Sequence, residues 1–264
     1  MKRFAVIVLV VLLLLTLCAC NKTEANDTEY IGIISAMDNE IAKLKEEANI
    51  ERTDTIGGVE YYVGTLKGKP VVIARSGIGK VRSSAGVTAM LSNFRISKMI
   101  FTGIAGGVAD ETQVMDQVIA TKLVEHDYGM ITNDGFYWLS GDPGVGTEPG
   151  EYYDTDKDLT DLAYNCAVEV LGESHVFKGV IATGDQFIAS ETYVEKLRND
   201  YNAYACEMEG ASVAVICIKY SVPFTVIRCL SDKADGEAHE SYENFGDVAA
   251  DNSSAIVLKM LEKI

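Results

Sequence analysis

From residue 30 onward, short apolar runs alternate with longer stretches in which apolar positions recur at helical spacing. The runs at 30–36, 98–102, 116–121, 176–182, 203–206 and 223–230 are strand-length and largely apolar, which predicts buried strands. Residues 59–66 and 71–75 predict a hairpin turning through Lys67-Gly68-Lys69-Pro70. Helices are predicted over 37–48, from about Val81 to Asn93, and over 159–171, 191–199, 211–220 and 245–263. Asp38 is the expected cap of the first helix and Glu40 falls in its first turn, where the helix dipole favours a carboxylate. There is no internal repeat. Strands alternating with helices, after an early hairpin, predict an α/β domain: a three-layer α/β/α arrangement with a mixed, mostly parallel central sheet.

Residues 1–20 follow another pattern. Lys2 and Arg3 precede an apolar stretch at 4–17, the layout of an export signal and shorter than the ~20 residues of a spanning helix. The stretch ends in Leu17-Cys18-Ala19-Cys20-Asn21, which resembles a bacterial lipobox. That resemblance implies removal of a signal peptide (1–19), lipidation of Cys20, and an exported lipoprotein held on the membrane. The alternative is a plain secreted protein. Residues 20–29 are polar and read as a flexible tether, leaving 30–264 as the folded domain.

The formal net charge is −16, from 39 acidic and 23 basic residues. Clustered Lys and Arg are what nucleic-acid phosphates need, so DNA and RNA are excluded as partners. None of the six cysteines has the C-x-x-C spacing of a zinc or redox site, and no metal or cofactor is expected. Cys206, Cys217 and Cys229 lie in apolar runs and read as buried thiols.

Candidate chemistry collects at strand ends. Ser231 and Asp232 stop the apolar run at 223–230, as a helix cap or as a buried acid beyond a strand. Gly77 and Gly79 could form a tight turn or cradle an anion. The glycines in 103–107 suggest close backbone approach to a ligand or a neighbouring strand. Phe187, just past a strand, suits a lid on a flat base. Glu207 and Glu209 flank Met208 at the start of an apolar helix, where one acid should point into a cleft. Residues 129–157 form a long loop whose Phe136, Tyr137 and Trp138 could close a pocket or pack on a partner.

Five motifs stand in order: Ile33-Ile34-Ser35-Ala36-Met37-Asp38-Asn39-Glu40, Ser76-Gly77-Ile78-Gly79-Lys80, Thr102-Gly103-Ile104-Ala105-Gly106-Gly107, Glu207-Met208-Glu209 and Ser231-Asp232-Lys233-Ala234-Asp235. Together they resemble the 5′-methylthioadenosine/S-adenosylhomocysteine nucleosidases of the purine nucleoside phosphorylase superfamily, from about Tyr30 to the end. The resemblance implies a nucleoside phosphorylase-like fold, a homodimer, a small-molecule nucleoside substrate and water as nucleophile. It implies Asp232 as the acid on adenine N7, steadied by Ser231, and Glu40 as base on the water, assisted by Arg228. Glu209 would hold the ribose hydroxyls, with Met208 against the sugar. Phe187 would stack on adenine, the Ile188 backbone would read its edge, and Ile78 and Tyr242 would line the sugar and thio-alkyl side. Ala105, Gly106 and Glu207 complete the implied substrate site.

Three positions depart from the family pattern. Tyr242 stands where the family has Phe, Ile104 where some members have Ser, and residues 127–136 match poorly. The implied reaction is hydrolysis of the glycosidic bond of methylthioadenosine and adenosylhomocysteine, with 5′-deoxyadenosine as a further substrate. Such cleavage needs an acid on the leaving group and a base across the ring. Two other readings remain. One is a phosphorylase using phosphate, which Arg75 and Arg82 would serve and Glu40 would repel. The other is a lipid-anchored nucleoside-binding receptor, which would need neither acid nor base.

Overall fold

The structure, a computed structural model, describes residues 28–141 and 150–264. The expected signal, lipobox and Cys20, together with Pro143 and Pro149, lie outside the described residues. At the start of the described chain Glu29 already pairs with Arg95 at 2.7 Å.

The first half runs β1 (Tyr30–Ser35), α1 (Asp38–Glu47), β2 (Asn49–Ile56), β3 (Val59–Leu66), β4 (Lys69–Arg75), α2 (Lys80–Asn93) and β5 (Ile96–Gly107). There follow β6 (Gln117–Glu125), β7 (Gly129–Thr132), β8 (Gly135–Trp138), β9 (Tyr153–Asp154) and α3 (Lys157–Leu171). The chain ends with β10 (Val176–Thr183), α4 (Glu191–Tyr201), β11 (Ala203–Glu207), α5 (Gly210–Lys219), β12 (Phe224–Asp232) and α6 (Ala238–Leu261).

The large sheet has the order β11-β10-β6-β12-β5-β1-β4-β3-β2 and is mixed, as expected. Pairings of β1 with β4 and β5, β5 with β12, and β10 with β6 and β11 are parallel. Alternate residues feed opposite faces, the two-residue period of a strand. Ile34, Val72, Ala74 and Phe101 pack with Val87 of α2 and Val213 of α5. Ile33, Val71, Ile73 and Ile100 pack with Ile41 of α1, Cys166 of α3 and Ile256 of α6. These are the three predicted layers.

The far end of β5 departs from a simple open sheet. Beyond its parallel pairing with β12 it also pairs antiparallel with β11, Gly106 opposite Cys206 and Gly107 opposite Ala205. With β12 pairing antiparallel to β6, the strands β5, β12, β6, β10 and β11 close into a ring. The expected close approach at 103–107 is therefore to a strand and to side chains at once. A Cβ on Gly103 would sit 2.3 Å from Glu40 Oε1, and one on Gly106 would sit 2.9 Å from Asp232 Oδ1.

Several expectations are corrected. Asp38 does not cap α1: Met37 precedes the helix, and Glu40 Oε2 accepts the Met37 N–H at 2.8 Å. β2 is an addition to the expected elements, because an edge strand reading Asn-Ile-Glu-Arg-Thr-Asp-Thr-Ile carries little apolar signal. The expected 129–157 loop contains the β7–β8 hairpin and β9. Trp138 packs edge-on to Tyr152 and Tyr201, while Tyr137 is exposed. α6 begins at Ala238 rather than Phe245, its first turns being polar.

α6 anchors the site from below. Its Ser253 hydroxyl pairs with Thr102 Oγ1 at 2.6 Å and accepts the Gly103 N–H at 3.2 Å. Ser254 donates to the Glu40 carbonyl at 3.0 Å. One helix thus fixes α1 relative to β5. The described cysteines, Cys166, Cys206, Cys217 and Cys229, are buried free thiols, as expected for the last three.

Candidate active site

A cavity of about 310 Å³ opens where β1, β5, β10, β11 and β12 end. Its lining includes Glu40, Ile78, Ala105, Gly106, Phe187, Ile188, Glu207, Met208, Glu209, Ser231, Asp232 and Tyr242. Every expected site residue except Arg228, and Cys20 outside the described chain, therefore faces one hollow. Ile104 is there too, with five residues that sequence reasoning does not place in the site: Ala36, Met37, Gln186, Cys206 and His239. Gln186 and Cys206 adjoin expected site residues, and Ala36 and Met37 lie in the same motif as Glu40. His239 sits in the polar start of α6, where no periodicity marks it.

Asp232 ends β12 as neither surface charge nor helix cap. The register between β12 and β5 slips between Leu230 and Asp232, a bulge at Ser231. Adjacent strand residues normally face opposite sides, and a bulge re-aims them. Here Ser231 and Asp232 line the same cavity, and the Ser231 hydroxyl lies 2.8 Å from Asp232 Oδ2. Asp232 Oδ1 accepts the Ala234 N–H at 2.8 Å, an Asx turn. The side chain is 2% exposed, and burial raises its pKa against the pull of these two donors. The Ala234 N–H claims Oδ1, so a proton on this carboxyl belongs on Oδ2. Ser231 can then turn its own hydrogen to the Ala105 carbonyl, 3.4 Å away.

Glu40 is equally buried. Oε2 accepts N–H groups from Ala36 and Met37, and Oε1 accepts that of Ile104 at 2.9 Å. Burial raises its pKa, with the Arg228 charge and the three backbone donors opposing.

Arg228 is 1% exposed in the middle of β12, over the ring of Phe101 at 4.0 Å. Its hydrogen bonds do not go to Glu40. Nη2 donates to Glu207 Oε2 at 2.7 Å and lies 3.9 Å from Glu209. Arg228 thus acts on Glu40 through its charge and not through a hydrogen bond. Removing one partner of such a buried pair costs about 3–5 kcal/mol.

Glu207 is the acid that Arg228 pairs with. Although it lines the cavity, its oxygens already accept from Thr183 Oγ1, the Glu209 and Gly210 N–H groups and Arg228. It anchors the start of α5 and orients Arg228 rather than offering itself to a ligand. Glu209 is the free arm. Its Oε1 accepts the Gly79 N–H at 2.8 Å, and its Oε2 has Arg228 Nη2 3.9 Å away. Burial first, then the neighbouring Glu207, raises its pKa, with Arg228 opposing. The Gly77–Gly79 turn does cradle an anion, but the anion is the protein's own. Gly79 serves Glu209, and the next N–H, of Lys80, serves Asp185 at 2.8 Å.

The roof is apolar. Phe187 is half exposed and meets Tyr242 edge-on, centroids 6.3 Å apart. Its loop is tied down by the Asp185 N–H donating to Asp127 Oδ2 and by Lys80 bridging Asp127 at 2.6 Å. Arg75 pairs with Asp38 at 3.3 Å, and Arg82 donates to the Ile78 carbonyl. Neither lines this cavity, which presents carboxyl groups where a phosphate would need cations. Among the described residues no cluster of His, Cys, Asp or Glu could hold a metal. Buried acids with raised pKa values, a flat apolar roof and a hydrogen-bonding floor suit acid–base cleavage of a ring-bearing substrate.

A family model described as the phosphorylase superfamily matches residues 30–262. A 5′-methylthioadenosine/S-adenosylhomocysteine nucleosidase of Aeromonas salmonicida is 37% identical over 235 residues, 89% of this chain and 99% of that protein. The crystal structure of the Helicobacter pylori nucleosidase of the same name, with butyl-thio-DADMe-Immucillin-A, superposes with a TM-score of 0.82 at 33% identity. That match covers 90% of this chain and all of the other. A futalosine hydrolase of Helicobacter pylori superposes with a TM-score of 0.79 at 34% identity, covering 90% and 98% of the two chains.

A carboxyl whose pKa is raised by folding stabilises the fold below its unfolded pKa, and that contribution is lost as pH rises through the folded value. Folded and unfolded values one pH unit apart correspond to about 1.4 kcal/mol. Asn mimics the protonated Asp232: Oδ1 keeps the Ala234 N–H and Nδ2 donates to Ser231. Asp232→Asn should therefore raise the melting temperature at pH 7.5. Its advantage over wild type should vanish below about pH 3.9, the ordinary aspartate value. Thermal unfolding of both proteins across this range checks it; equal or lower stability of the variant at pH 7.5 contradicts it.

Proposed function

The chain belongs to the phosphorylase superfamily and, within it, to the 5′-methylthioadenosine/S-adenosylhomocysteine nucleosidases, and on that premise we propose how its residues hydrolyse the N-glycosidic bond of those two nucleosides. Asp232 Oδ2 gives its proton to adenine N7 as the C1′–N9 bond breaks, and the electron pair leaves with the base. Water adds to C1′ and loses its proton to Glu40. The products are adenine and the 5′-thio sugar. Glu209 accepts hydrogen bonds from the ribose hydroxyls, Met208 packs on the sugar, and Phe187 covers the base while the Ile188 backbone meets its edge.

The observation that carries this reading is the shared hollow of Asp232, Glu40 and Glu209 with a single guanidinium behind them. The sugar becomes cation-like as the bond stretches, and a preorganised excess of carboxyl groups is worth most at that moment. A base is most effective with its pKa drawn toward the working pH, the direction in which burial moves Glu40. Ile104 offers no hydroxyl to the water, but its N–H holds the base in place.

The protein acts as an exported lipoprotein anchored through Cys20, and as a homodimer. The anchor is supported by Leu17-Cys18-Ala19-Cys20 after an apolar stretch. The dimer is supported by Tyr128, Met130, Ile131 and Leu139, exposed apolar groups on and around the β7–β8 hairpin.

Chromatography of methylthioadenosine after incubation should show adenine released at the same rate with and without phosphate. Asp232→Asn and Glu40→Gln should each lower kcat by roughly 10²–10⁴-fold. A phosphate requirement, intact nucleoside, or near-normal turnover by Asp232→Asn contradicts the reading. One preparation tests the anchor and the dimer. Wild type should sediment with membranes, take up labelled fatty acid, and run at twice the protomer mass in detergent. A soluble wild type that takes up no label, labelling that survives Cys20→Ala, or a monomeric mass each removes the corresponding claim.

A further inference from the structure

Tyr242 brings the cavity a polar atom that the chemistry above does not use. Its hydroxyl donates to Met37 Sδ at 3.7 Å, and a thioether is a weak acceptor. The ring is fixed edge-on to Phe187 on one side. On the other, Gly246 lies one turn along α6, where a Cβ would come within 3.3 Å of the ring. Burial and the nearby Glu40 charge push the phenol pKa up, so the hydroxyl stays a donor at neutral pH.

The position of this hydroxyl follows from the other walls. With the base between Asp232 and Phe187 and the ribose hydroxyls on Glu209, the wall left for the 5′ substituent is made by Met37, Ile78 and Tyr242. Met37 and Ile78 suit an apolar thio-alkyl group. A 5′-thioether sulfur would replace the Met37 sulfur as partner of the phenol, like for like. A 5′-hydroxyl would give the phenol a stronger partner than a thioether and find its own hydrogen bond met there.

We propose that the Tyr242 hydroxyl is a specificity-determining group that opens the pocket to adenine nucleosides carrying a hydrogen-bonding 5′ substituent, adenosine being the simplest. This rests on the nucleosidase reading above. The step catalysed is the same hydrolysis, with a 5′-hydroxyl in place of the thioether.

The test compares kcat/KM for adenosine, 5′-deoxyadenosine and methylthioadenosine in wild type and Tyr242→Phe. A single neutral hydrogen bond predicts that the adenosine to methylthioadenosine ratio falls about 3–10-fold in the variant. The 5′-deoxyadenosine to methylthioadenosine ratio, with no 5′ oxygen in either substrate, should stay as in wild type. Parallel changes in all three substrates would assign Tyr242 to packing alone and overturn the proposal. So would a wild type that cleaves methylthioadenosine but not adenosine, which leaves the nucleosidase reading standing. Failure to cleave any of the three overturns both.

Discussion

Four carboxylic acids, Glu40, Glu207, Glu209 and Asp232, line one hollow, and the cation buried with them is Arg228. Charges out of water are tolerated only when paired and hydrogen-bonded. The structure gives the pairing to Glu207, which takes Arg228, Thr183 and the start of α5. The other three have raised pKa values: Glu40 is held by backbone N–H groups, Asp232 by one such group and the Ser231 hydroxyl, and Glu209 by the Gly79 N–H with Arg228 3.9 Å away. Such a site holds protons that surface carboxyls would have released. The same excess of negative character that costs stability at rest favours a positively charged sugar in passing, so the strain and the activity have one source.

The backbone is shaped to permit this crowding. β5 runs through Gly103 and Gly106 because side chains there would collide with Glu40 and Asp232. The bulge at Ser231 turns two neighbouring polar groups to the same side, and the turn at Ala234 locks Oδ1. α6 holds the opposite wall through Ser253 and Ser254. These devices come from β5, β12, α1 and α6, far apart in sequence, which is why the site forms only when the whole sheet does.

Much of this was legible in the chain. The layers follow from apolar runs alternating with helical periods, and Asp232, Glu40 and Glu209 stand out as acids at the ends of apolar segments. Local chemistry alone leaves Asp232 poised between cap and acid; the ordered set of five motifs separates the two. What the sequence hides is pairing. Nothing near Arg228 announces that its partner is Glu207 rather than Glu40, because that contact depends on how β11 lies against β10 and β5. Asp38 has the right residue type for a cap, yet Glu40 reaches back to that turn instead. β2 and the first turns of α6 are polar, so a reading built on apolar periodicity passes over them.

The central claim is that folding keeps a proton on Asp232 that water would remove. Titrating the ¹³C signal of its carboxyl, assigned by its absence in Asp232→Asn, measures this without any substrate. The account predicts a midpoint above the ordinary aspartate value of about 3.9. A midpoint at or below that value would mean the carboxyl is ionised whenever the enzyme works, and the acid would have to be sought elsewhere.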